Sequence, residues 1–185
     1  MSFDCYGKLV PAIATSWEAN EDSTVWTFHL RDDVDWCDVN GEVKSHLTSK
    51  DFLVGFEWVL NAIKNEAFNT SMPSETVVGA AEYYDLTKDK GDAAADMTYE
   101  DMLAAGVGVE APDDYTLVFT CKDPCPYFDT VAAYNSFYPP LRTSSRSWAS
   151  MASVPAITPP CGTMVRTSSR STSSRTPRAS STTSL

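Results

Sequence analysis

Apolar and polar positions alternate strictly from Val25 to Arg31, with Trp26, Phe28 and Leu30 on one face and Thr27, His29 and Arg31 on the other. A period of two predicts a half-buried strand of an antiparallel sheet, with His29 turned to solvent. Upstream, Gly7 to Pro11 reads as a turn leading into the apolar Ala12-Ile13-Ala14, then Ser16-Trp17-Glu18, with polar turn material over 19–23. Downstream, Asp32 to Trp36 and Asp38-Val39-Asn40-Gly41 read as an acidic, turn-rich connection.

The period then changes. Thr48-Ser49-Lys50-Asp51 opens a helix, with Thr48 as N-cap and Asp51 in the capping-box position. Phe52, Phe56, Val59, Leu60 and Ile63 fall at helical spacing, so the helix is predicted to run for about 15 residues with this stripe in the core. Residues 65–74 are expected as a loop, Glu75 to Leu86 as a helix and Lys88 to Ala94 as an acidic loop. Thr98 begins a short helix ending near Gly106. Val107–Ala111 and Tyr115–Thr120 are predicted strands around a turn at Pro112-Asp113-Asp114. Asp123-Pro124-Cys125-Pro126 starts a further helix through Tyr134, Pro126 suiting its first turn.

Periodicity stops after Leu141, and composition changes with it. All 25 acidic residues lie within 1–142, which carry a formal charge of about −16. Residues 143–185 contain no acid, five Arg, and 21 Ser or Thr. The domain reading is therefore 1–142 as one folded unit and 143–185 as a Ser/Thr/Arg-rich disordered tail, which cannot bury enough apolar surface to offset its ordering entropy. The acidic body argues against nucleic-acid binding, which needs clustered Lys and Arg. No apolar run reaches the length of a membrane span, and no basic region followed by an apolar stretch marks a signal peptide at the N-terminus.

Candidate chemistry is sparse. Cys5, Cys37, Cys121, Cys125 and Cys161 form no disulfide framework, and the C-x3-C pair lacks the histidines a zinc site would add nearby, leaving free thiols or a single bridge. The pairs Asp32-Asp33 and Asp113-Asp114 sit in turns, where carboxylates are solvated rather than catalytic. Taking Gly41 as the turn glycine of a calcium loop puts Trp36 and Leu47 at ligand positions, so that reading fails. No nucleophile elbow, zincin motif or phosphate loop is present. No enzyme, cofactor or metal is expected, and no catalytic or ligand-binding residue stands out.

Together, Lys8-Leu9-Val10-Pro11-Ala12-Ile13-Ala14-Thr15-Ser16-Trp17-Glu18 and Val25-Trp26-Thr27-Phe28-His29-Leu30-Arg31 resemble extracellular solute-binding protein family 5, the oligopeptide and dipeptide receptors of ABC importers. The acidic stretch ending in Trp36, Gly41, the Thr48-to-Phe52 helix start and Trp58 continue the likeness. So do Val107 to Ala111, Asp113 to Leu117, Pro124, Pro126-Tyr127-Phe128 and Pro139-Pro140, in the family's order. The connection at Cys37 to Glu42 is longer than usual, and 65–100 match poorly. The resemblance implies a mixed α/β fold, an incomplete N-terminal lobe of a two-lobed, periplasmic-binding-protein-like (type II) receptor that closes by hinge motion. It implies a monomeric, extracytoplasmic parent, periplasmic or a cell-surface lipoprotein, with a peptide ligand and ABC permease subunits as partners. Nickel or an oligosaccharide is an alternative ligand. A partial lobe would expose apolar surface, so poor solubility is expected of the isolated chain.

The tail carries a further expectation, a shifted reading frame. Read one base out of step, Trp148-Ala149, Met151-Ala152 and Met164-Val165 all force glycine, and synonymous codons allow an acidic, amphipathic continuation. The alternative is a genuine low-complexity arm on a free-standing interaction domain, with Arg146, Arg166, Arg170, Arg175 and Arg178 meeting an anionic partner.

Overall fold

The computed structural model describes residues 1–37, 40–64 and 71–139. In chain order come strands β1 (Ser2–Phe3), β2 (Leu9–Val10), β3 (Ala14–Ala19), β4 (Val25–Leu30), β5 (Asp35–Cys37) and β6 (Val43–His46). Helices α1 (Ser49–Leu60), α2 (Ser71–Thr76) and α3 (Ala80–Lys90) follow, then a 3-10 turn over Gly91–Asp96 and α4 (Tyr99–Ala104). Strands β7 (Val109–Asp113) and β8 (Thr116–Thr120), α5 (Phe128–Ala132) and a 3-10 turn over Asn135–Phe137 complete the mixed α/β fold.

Four strands form the central antiparallel sheet in the order β3-β4-β8-β7, with β1-β2 and β5-β6 as separate two-stranded ribbons. The alternating segment is β4, and its pattern is obeyed: Trp26, Phe28 and Leu30 are buried while His29 is exposed. Pairing with β8 sets Trp26 opposite Phe119 and Phe28 opposite Leu117, so one face of the two strands is apolar. Onto it pack Phe56 of α1, Phe128 of α5 and Phe137. The six rings lie 5.4 to 6.3 Å apart between contacting centroids, mostly tilted or edge-on, the arrangement aromatic quadrupoles favour. The polar edge of the Trp26 indole is satisfied within this layer, its N–H donating to the Cys125 carbonyl at 3.2 Å.

Helix α1 begins as its sequence predicts. The Thr48 backbone N–H donates to Asp51 Oδ2 at 2.8 Å, closing one arm of the capping box. Ser49 anchors this end to the β7–β8 turn, its N–H donating to the Asp114 carbonyl at 2.8 Å and its hydroxyl to the Asp113 carbonyl at 2.5 Å. The far end differs from expectation. The helix stops at Leu60 because Asn61 leaves the helical region (ψ 111°) and its buried side chain accepts from the Ile63 and Lys64 N–H groups. Ile63 therefore lies beyond the helix, and the buried face includes Leu53, Phe56, Glu57 and Leu60, one charge among them.

Other expectations are corrected in detail. The acidic connection after Arg31 folds into the β5–β6 hairpin, Asp35 pairing with His46. Ala14–Ala19 is a strand although most of its side chains are exposed, because backbone pairing with β4 rather than burial holds this sheet edge. Ser71–Thr76, expected within a loop and a later helix, is a helix of its own. The helix expected over Glu75 to Leu86 is broken at Val77-Val78-Gly79, where the backbone joins the sheet: Val78 N–H donates to the Thr120 carbonyl (3.0 Å) and Gly108 N–H to the Val78 carbonyl (2.8 Å). Beyond the break α3 continues through Lys90, so part of the expected acidic loop is helical and the rest is 3-10. The hairpin turn falls at Asp114-Tyr115, shifted from the expected Pro112-Asp113-Asp114 and sharing only Asp114 with it. The last helix starts only at Phe128. The expected tail over 143–185 lies outside the described residues.

Gly79 makes the break possible. It takes a left-handed φ of 70°, and a Cβ there would stand 2.5 Å from the Gly106 carbonyl oxygen. Gly79→Ala should therefore cost about 2 kcal/mol or more, from left-handed strain plus the backbone clash. Urea unfolding measures this; an unchanged midpoint would show that the Val77–Gly79 crossing does not bear on stability.

Candidate functional site

The polar groups singled out in sequence are built into turns. Asp33 accepts from Arg31 Nε and Nη2 at 2.7 and 2.6 Å, and the guanidinium holds its carboxyl below the usual range. Asp113 accepts the Tyr115 backbone N–H at 2.8 Å, and that bond lowers its carboxyl too. Asp114 pairs with Lys50 at 3.3 Å. Asp33 and Asp113 are thus shifted away from the neutral form a general acid would need. His29 stands exposed on β4, 3.9 Å from Glu18. Among the described residues, no group of three or more His, Cys, Asp or Glu is placed to hold a metal, and no helix is long and apolar enough to cross a membrane.

Nothing in the sequence pattern singles out His46, yet the hairpin gives it two acceptors. Its Nε2 donates to the Asp32 carbonyl at 2.7 Å, and Nδ1 faces the Asp35 carboxylate across the β5–β6 pair. Only the doubly protonated ring donates to both, so the Asp32 carbonyl first, then Asp35, raise its pKa.

The other concentration of polar chemistry is buried. Glu57, on the inner face of α1, accepts from Asn61 Nδ2 (2.8 Å) and the Tyr83 hydroxyl (3.0 Å), and pairs with Lys64 at 2.8 Å. Lys64 also donates to the Met97 carbonyl, and Asn61 to the Ala94 carbonyl at 2.8 Å. Burial, then Glu57, raise the Tyr83 hydroxyl well above its ordinary value, so it serves as a donor. These bonds run from α1 and the residues just after it to neighbouring segments. The cluster thus ties α1 to α3 and to the Gly91–Asp96 turn, and its groups are spent on one another rather than turned toward a ligand. A buried charge so saturated is structural chemistry.

Large exposed apolar side chains are Phe3, Tyr6, Val43, Val78, Leu86, Tyr127, Tyr134 and Tyr138 among the described residues, four of them tyrosines. Three cluster in sequence around α5, and a tyrosine offers a flat apolar face with a polar tip to an extended chain. The only sequence signal for them is their aromatic type.

Two outcomes follow from these placements. Lys64→Met strands the Glu57 carboxylate in the core and should cost about 3 kcal/mol in urea unfolding, whereas Lys44→Met, which breaks the exposed pair with Glu42, should cost under about 1 kcal/mol. Equal costs would contradict a structural role for the buried pair. For His46 the folded-state pKa is raised, so its stabilising contribution is complete below the unfolded value of about 6.5 and is lost as pH rises through the folded value. Stability of the native chain should fall more steeply than that of His46→Gln between about pH 6 and 8. Parallel profiles would contradict this.

Comparison with known proteins places the fold. Residues 8–160 match the family model described as bacterial extracellular solute-binding proteins, family 5 Middle, a span reaching past the composition break at 142. The chain is similar to the oligopeptide-binding protein AmiA of Streptococcus pneumoniae, 33% identical over 136 residues, covering 74% of this chain and 18% of AmiA. It is 27% identical, again over 74% of its length, to a probable deoxycholate-binding periplasmic protein of Escherichia coli, of which it covers 22%. Among solved structures, Haemophilus influenzae OppA in complex with RPPGFSPFR matches with a TM-score of 0.60 at 29% identity, over 77% of this chain and 24% of that one. The chain thus spans about a fifth of the length of these relatives, and its β3-β4-β8-β7 sheet with the α1 layer corresponds to part of one lobe. Family 5 solute-binding proteins bind rather than catalyse. The chain belongs to the bacterial extracellular solute-binding proteins, family 5.

Proposed function

We propose that this chain belongs to the substrate-binding component of a peptide-importing ABC transporter, working outside the cytoplasm, with residues 1–142 as part of its N-terminal lobe. On this reading the protein is not an enzyme. Its partners are a peptide and the permease subunits, it acts as a monomer, and nucleic acid plays no part. The observation that carries it is the 29% identical match, at a TM-score of 0.60, to an OppA holding a nonapeptide. The oligopeptide-binding name of AmiA supports the same ligand class. The deoxycholate-binding relative makes a non-peptide solute the second reading. The assignment attaches to the lobe and its packing, and to no single contact residue.

A graft tests it. Residues 3–139 replace the matched segment of Haemophilus influenzae OppA, and the chimera is melted and titrated with RPPGFSPFR by calorimetry. A cooperative melt with peptide affinity within about tenfold of the parent, a change of about 1.4 kcal/mol, is the expected result. A folded chimera that has lost the peptide would overturn the ligand class, and one that does not fold would overturn the lobe placement.

A further inference from the structure

The side chains of Cys121 and Cys125 belong to neither the Glu57 cluster nor the His46 hairpin. Cys121 follows directly on β8 and bridges to Val77, with its N–H on the Thr24 carbonyl at 2.7 Å. Four residues on, the Cys125 N–H is held by the neighbouring Ser23 carbonyl at 2.9 Å, and its own carbonyl takes the Trp26 indole at 3.2 Å. Both cysteines are therefore pinned to the same β3–β4 turn, and the intervening Lys122-Asp123-Pro124 bows out as an exposed loop. Both side chains are buried in the same apolar cluster. They are reduced here, as are Cys5, which is exposed, and Cys37, which is half-buried.

We propose that Cys121 and Cys125 are a disulfide site, joined when the chain folds in an oxidising compartment and closing the loop that leads from β8 into α5. Two thiols lose two protons and two electrons to form the S–S bond, and a small-molecule disulfide such as oxidised glutathione takes them up as two thiols. The bond forms during folding rather than after it, because in the folded chain burial pushes the Cys121 thiol up to about 11 and little thiolate exists to react. The same burial then shelters the closed bond from reductant. The site does not depend on the peptide reading. It belongs to the packing of the β8–α5 corner.

Trypsin provides an unambiguous test. Cleavage after Lys90, Lys122 and Arg142 puts Cys121 alone on Gly91–Lys122 and Cys125 alone on Asp123–Arg142, while Cys5, Cys37 and Cys161 fall on other peptides. The full chain is refolded in a glutathione redox buffer, alkylated in denaturant, digested and mapped by mass spectrometry. The expected result is a linked 91–122/123–142 pair, reduced by dithiothreitol at least about tenfold more slowly in the folded chain than in strong denaturant. The proposal is overturned if both cysteines are recovered alkylated, if either is linked to another cysteine or to glutathione, or if folded and denatured chains are reduced at one rate. The OppA chimera carrying residues 3–139 is mapped in parallel, so that the linkage is still read if the chain alone refolds poorly.

Discussion

Pairing of β4 with β8 is the constraint on which the rest of the structure depends. The two strands are distant in sequence, yet their register sets Trp26 beside Phe119 and Phe28 beside Leu117, and the remaining core rings pack against that face. A slip of one residue would turn the whole apolar set to solvent, so the register is enforced by burial rather than by any local turn. Closing so long a loop is costly in entropy, and its return comes only when Phe56, Phe128 and Phe137 arrive. The segments around them are short or capped, and backbone hydrogen bonds fasten the chain at the sheet's margins: Ser49 on the β7–β8 turn, Val78 on Thr120, Cys125 on Ser23.

Where aromatic packing ends, the Glu57 cluster takes over. It joins α1 to α3 and the Gly91–Asp96 turn through one carboxylate, an amide, a phenol and an ammonium, bonded to one another and to backbone carbonyls. Such a cluster specifies which helix ends meet more than it adds net stability. It also accounts for the acidic α3 packing as a helix at all: its exposed carboxylates remain in water while Tyr83 and Thr87 turn inward.

What is legible in the sequence is local. The alternation of β4 and the Thr48/Asp51 start of α1 are written within a few residues, and both elements form where that pattern puts them. The end of α1 is not legible, because it is set by the Asn61 side chain reaching to Glu57 and Ala94. The Val77–Gly79 break is invisible for the same reason, since its cause is pairing with Thr120 and Gly108 far along the chain. Strand β3 escapes because an edge strand with mostly exposed side chains has no apolar face to show. Family membership is legible through blocks of residues in order, which the comparisons bear out. A ligand-contacting set is not, and the polar clusters in the described residues close on the protein itself.

The aromatic face shared by β4 and β8, with α1 laid on it, is then the cooperative centre of this lobe segment. Native-state hydrogen exchange of the chain, read by mass spectrometry over peptides covering 25–30, 49–60 and 116–120, tests this most directly. These three segments should exchange slowest, at one common free energy, while β1, β2 and the β5–β6 hairpin open earlier. Uniformly fast exchange across all three, or slow exchange confined to the helices, would contradict it.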